Sequence, residues 1–154
     1  MLDKLKALGV IKLVLRDKNG QVKDERETSN LVVNAGLAYI VNRMKSDVSG
    51  GKALMSHIGL GSSNTAAAAS QTDLGSLLGS REALDSSTIS GSNNEKIVYV
   101  STFEAGDATG AIVEAGIFNA ASGGDMLCRT VFSTVNKAAD DTLTVTWTIT
   151  LAAA

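Results

Sequence analysis

The chain of 154 residues is short of the residue types that most often carry chemistry. It has one cysteine, Cys128, so an intramolecular disulfide is excluded and the fold does not depend on an oxidising compartment. It has one histidine, His57, and a zinc site needs several Cys or His ligands, so no metal is expected. Aromatic residues make up 4%, against 44% for the hydrophobic set as a whole, so the core must be built mostly from Val, Ile, Leu and Ala. Charge is nearly balanced at −2, with a pI near 5.3, and no excess of Lys and Arg is present to displace counterions from a phosphate backbone. No apolar run approaches the roughly 18–20 residues of a membrane span. The opening MLDKLKALGVIKLVL is interrupted by Asp3, Lys4, Lys6 and Lys12, unlike the apolar core of a signal peptide. Neither nucleic acid nor membrane is an expected partner, and synthesis in a cytoplasm is expected.

What the chain does have is alternation. In residues 142–151, TLTVTWTITL, the residues Leu143, Val145, Trp147, Ile149 and Leu151 fall on one side and five threonines on the other. Strand side chains point alternately to opposite faces, so this reads as one strand with an apolar inner row and a β-branched, half-wet outer row. The only tryptophan lies in the inner row. Residues 10–16 form another strand, and DKNG at 17–20 a hairpin turn in which Asn19 and Gly20 supply positive φ angles. Asp17-x-Asn19-Gly20 also opens like a calcium loop, but the later ligands and closing glutamate are missing. Residues 22–28 return as a charged strand suited to a sheet edge.

Two helical segments are expected. Leu2, Leu5 and Leu8 at i, i+3, i+6 outline a short N-terminal helix or turn ended by Gly9, either packed on its own domain or docked as an arm on a neighbour. An amphipathic helix at about 34–45 follows, capped by Asn34, with Leu37, Ile40, Val41 and Met44 as its inner stripe and Asn42, Arg43 and Lys45 outside. Residues 53–60 form a strand carrying His57. Residues 61–94 are Ala, Ser and Gly-rich with leucines at 74, 77, 78 and 84, and read as a long surface excursion, pairing in part around residues 81–89. Strands resume at 96–105, 111–120 (Gly116 marking a bulge or a close contact) and 126–135, joined by GDATG, ASGGD and NKAADD. This spacing predicts an antiparallel sandwich or barrel. The division expected is an arm or turn at 1–9 and one β domain at 10–154.

Catalytic arrangements are not evident. His57 has no Gly-x-Ser-x-Gly elbow to serve, the dinucleotide fingerprint lacks its third glycine after Gly59-Leu60-Gly61, and no GK[ST] phosphate loop occurs. Glu104, Glu114, Asp107 and Asp125 are not spaced so as to select a pair for glycoside chemistry. Cys128, beside Leu127 and Val131, reads as a small buried or half-buried residue. No enzyme activity and no cofactor are expected.

Three segments together carry a resemblance: HIGLGSSNTAAAASQTDLGS at 57–76, VSTFEAGDATGAIVEAGIFN at 100–119 and RTVFSTVNKAADDTLTVTWTI at 129–149. With LVLRDKNGQV and NLVVNAG near the N-terminus, they resemble a group of small structural proteins of tailed-bacteriophage virions, over nearly the whole chain. The resemblance implies a jelly-roll-like sandwich and a capsid cement (decoration) protein, bound outside the shell of the major capsid protein and self-associated as a dimer or trimer. Related sequences are also described as tail, baseplate or fibre proteins, which is the alternative. A carbohydrate-binding module is disfavoured because the few aromatics fall at apparently buried positions. In the cement reading, the candidate contact residues are Leu2, Leu5 and Leu8 at the N-terminus and Leu74, Leu77 and Leu78 in the excursion.

Overall fold

The computed structural model describes residues 5–45 and 50–153. The described residues are mainly β, with two five-stranded antiparallel sheets and one helix among them. The first sheet orders as β2 (Val22–Ser29), β1 (Leu5–Arg16), β10 (Thr142–Ala153), β7 (Lys96–Phe103) and β6 (Ser86–Ser90). The second orders as β3 (Leu31–Val32), β9 (Met126–Lys137), β8 (Gly110–Phe118), β4 (His57–Gly61) and β5 (Glu82–Ala83). Helix α1 spans Asn34–Arg43. β1–β2, β6–β7 and β8–β9 are hairpins, and β1 and β10, near opposite ends of the sequence, run side by side from Leu5–Ala153 to Arg16–Thr142. This is the expected antiparallel sandwich; the strand order does not by itself single out the jelly-roll connectivity.

The threonine-alternating strand is β10, and its neighbours on both sides explain its pattern. Leu143, Val145, Trp147 and Ile149 are buried, while the threonines opposite are half-covered. They meet Ile11, Leu13 and Leu15 of β1 and Phe103 and Tyr99 of β7 on the same sheet, and Ile58, Leu60, Ala115, Ile117 and Cys128 from the other. Each fully buried Leu, Ile or Val of this cluster contributes about 1.5–3 kcal/mol of transfer free energy. Trp147 has no exposed surface, and its indole Nε1 donates to Asn30 Oδ1 at 2.8 Å, so the polar end of the ring is satisfied at the crossing from β2 to β3.

Three local expectations are corrected. Residues 5–8 are not helical: they already belong to β1, whose period-2 row Leu5, Ala7, Gly9, Ile11, Leu13, Leu15 runs through the glycine read as a helix stop. Leu2 lies outside the described residues. In the first hairpin only Gly20 takes a positive φ (+80°); Asn19 does not, because Asp17 Oδ1 accepts from the N–H groups of Asn19 and Gln21 and shapes the loop. The cap of α1 is Val33 rather than Asn34, with no side-chain capping bond; Asn34 is the first helical residue, and its N–H donates to Ala69 O at 2.8 Å.

The largest correction concerns which side of α1 faces inward. The buried residues are Gly36 and Tyr39, with Ile40 packed at the margin of the core, while Leu37, Val41 and Met44 are 47%, 66% and 78% exposed. Gly36 sets this orientation: a Cβ there would run into Leu127 O of β9, so the helix backbone rides directly on that strand. Close approach through a glycine outweighs the wider aliphatic stripe, which is left on the outside.

Candidate interaction surfaces

The inner faces of the two sheets form the core, so any contact surface must come from the outer faces, the edges, the ends or the excursion. The excursion at 61–94 does not hang free. Its first part lies across the outer face of the second sheet, which presents Arg129, Glu114, Phe118 and the glycines of β4 and β8. Arg129 and Glu114 are completely buried and joined by bonds of 3.0 and 2.7 Å from Nε and Nη2 to one carboxylate oxygen. Arg129 Nη1 then donates to Thr65 O and Gln71 Oε1, both at 2.9 Å. Glu114 accepts from the backbone N–H groups of Ser63, Gly75 and Ser76 at 2.8–3.1 Å. Two opposite charges on neighbouring strands thus hold both limbs of the excursion by its backbone.

A second anchor is Arg81. Its side chain is buried, with its guanidinium carbon 3.4 Å from the centroid of the Phe118 ring. It donates to Ala120 O and Gly123 O at 3.0 and 2.7 Å and to Asp73 at 3.0 Å. Gly116 supplies the bed: a Cβ there would meet Leu74 Cδ2 at 3.1 Å and the Phe118 ring at 3.0 Å, which is the close contact, not the bulge. The register shifts of β8 fall on either side of it, at Ile112/Glu114 and Ile117/Phe118.

The leucines singled out as contacts separate accordingly. Leu74 packs with Phe118, Met126 and Val33 in a second small cluster, and Leu78 is partly buried against the main core. Leu77 is 43% exposed, on a bridge to Gly61. Leu5 and Leu8 are exposed, on opposite faces of β1 near its start. These residues do not form one patch.

The outward row of α1 is a more continuous apolar surface, and the sequence reading missed it by turning the helix inward. Leu37, Val41 and Met44 follow one another at i, i+4, i+7, so they lie along one helix face. Exposed Leu54 sits on the loop that Asn42 and Arg43 tie to the helix through Lys52 (Asn42 Oδ1 accepts from Lys52 N, Arg43 Nη1 donates to Lys52 O). Beside the helix, at the open end of the sandwich, a groove of about 470 Å³ runs between Tyr39, Ile40 and Arg43 on one side and Ile89, Ile97, Ile149 and Leu151 on the other. A second depression of about 540 Å³, around Arg16, Asp17, Lys18 and Asp140, is shallower in chemistry: charges of both signs surround it without converging.

His57, Cys128 and the carboxylates of the sequence lie apart from one another. His57 is half-buried and shares a hydrogen bond with the adjacent Ser56 Oγ at 2.8 Å, a local contact between neighbours. Glu114 is committed to Arg129, Asp125 to Lys52 at 2.6 Å, and Glu104 and Asp107 share a turn near Lys137. Burial pushes the Cys128 thiol well above its ordinary range, so it stays protonated in the core. Burial lowers Lys137, against the pull of Asp107, Asp141 and Glu104; its ammonium donates to Glu104 O at 2.8 Å. Among the described residues no group of three or more His, Cys, Asp or Glu side chains is placed to hold a metal ion, and no helix is long and apolar enough to cross a membrane. Comparison with protein-family profiles, with curated proteins and with solved structures gives no match.

Proposed function

We propose that this chain is a non-enzymatic structural protein of a tailed-bacteriophage virion, a capsid cement (decoration) protein that binds the outside of the major capsid protein shell and stabilises it. The observation that carries the reading is the outward apolar row of α1, Leu37, Val41 and Met44, on a helix locked to the sandwich through Gly36. Soluble domains bury such rows or use them as contact surfaces. The segment resemblance supplies the identity of the partner; the row supplies a surface for it. The anchored excursion fits the same role, since a shell-binding protein gains from surfaces that are ordered before binding and lose little entropy on it. Self-association of the bound copies belongs to the proposal, because a cement protein occupies repeated symmetric positions.

The test is co-sedimentation of the purified protein with phage shells assembled without it, at matched salt. Saturable binding at a fixed ratio to the major capsid protein is expected. Binding to isolated tails and not to expanded shells would replace the cement reading with a tail or baseplate role. Binding to neither would overturn both.

A further inference from the structure

An exposed strand edge offers unpaired N–H and C=O groups, and folded proteins blunt such edges by shortening or charging them. Among the described residues, three of the four sheet edges follow that rule. β3 and β5 are two residues each, and β2 carries Lys23, Asp24, Glu25, Arg26 and Glu27 in succession. The described overhang of β1 beyond β2, Leu5 to Leu8, carries Lys6. The fourth edge, β6, does not follow it. Its sequence is Ser86-Ser87-Thr88-Ile89-Ser90, without a charge, and every residue is exposed. Ile89 is 65% exposed although it pairs with Ile97 in the inner row of the sheet.

Two further features shape this edge. β5, at the corresponding end of the other sheet, sits over β7, where Ser101 Oγ donates to Ala83 O at 3.0 Å, so β6 projects beyond the second layer. The β6–β7 turn is fixed by Gly91 (φ +92°) and by the Glu95 carboxylate, which accepts from Asn93 N at 2.9 Å.

We propose that β6 is a self-association edge: it pairs antiparallel with β6 of a second copy across a two-fold axis through Thr88, doubling the five-stranded sheet. The second copy is favoured because the segment is complementary to itself in this register. Thr88 faces Thr88, Ser87 faces Ile89 and Ser86 faces Ser90, while Asp85 meets Gly91, so no like charges oppose each other. A two-fold axis perpendicular to the sheet keeps both inner faces on one side, which covers the two Ile89 side chains and joins the apolar grooves they line. This inference does not rest on the virion reading and holds whatever the protein binds.

The experiment is the solution mass by light scattering after size exclusion, over a range of concentrations, for the full chain and for Thr88→Lys and Thr88→Asp. Thr88 is exposed, so both variants are expected to fold, with the far-ultraviolet circular dichroism of the wild type and a cooperative thermal transition lowered only by the lost association. The wild type is expected near twice the 15.9 kDa chain mass, each variant alone at the single-chain mass, and an equimolar mixture of the two variants back at the doubled mass. A wild type that stays at single-chain mass, an oligomer indifferent to both substitutions, or a mixture that fails to pair would each overturn the proposal.

Discussion

Arg129 and Glu114, buried on the outer face of the second sheet, hold both limbs of the excursion. Removing one partner of a buried, hydrogen-bonded ion pair leaves a stranded charge, so Arg129→Met is expected to cost about 3–5 kcal/mol in urea unfolding. Replacing both, with Glu114→Leu added, removes the stranded charge but leaves the N–H groups of Ser63, Gly75 and Ser76 without their acceptor, so the double variant should stay destabilised and its excursion should become protease-sensitive. If the excursion of the double variant resists proteolysis like the wild type, the anchoring role is wrong. Trp147→Ala should cost about 3–5 kcal/mol by chemical denaturation, as expected of a large residue at the centre of the core. Asp141 gives a pH signature. Its carboxyl is held below its ordinary value of 3.8 by the Lys23 ammonium at 2.6 Å and by Ala138 N–H. That contribution is complete above the ordinary carboxylate range and lost as pH falls through the lowered value; Asp141→Asn should therefore flatten the acid limb of the stability–pH curve.

At the scale of elements, the two faces of α1 make opposite predictions. Gly36→Ala pushes a methyl into Leu127 O and should lower the melting temperature, whereas Val41→Glu with Met44→Glu should leave it within about a degree or two, since exposed substitutions usually change stability by under 0.5 kcal/mol. The same element explains what was legible in the sequence. The alternating strands were readable because each has one wet and one dry face, and β10, β7 and the charged edge β2 follow from pattern alone. The helix was readable as a helix, but not in its orientation: the rule that the broader apolar stripe faces inward failed where a glycine permits backbone contact. The first strand was obscured at its start because Leu5 and Leu8 satisfy a helical spacing as well as they sit in a strand, and long-range pairing with β10 decides between the two. Arg129 and Glu114 were unremarkable in sequence, since charged residues in strands normally face water; only the excursion folding back over the outer face dries them.

For the whole molecule, the consequence is a sandwich with differentiated sides. One sheet has its outer face covered by its own chain, the other keeps a threonine- and valine-bearing outer face, one edge is charged, one is neutral, and one end carries the apolar helix row and groove. Such asymmetry suits a protein fixed in one orientation on a repeated lattice, with the helix row toward the shell and β6 toward a second copy. The most direct measurement is a three-dimensional reconstruction of shells decorated with the protein, at a resolution that separates strands. Density is expected on the shell exterior, with Leu37, Val41 and Met44 of α1 against the major capsid protein. Decoration with α1 turned to solvent, or no density on the shell at all, would contradict this placement.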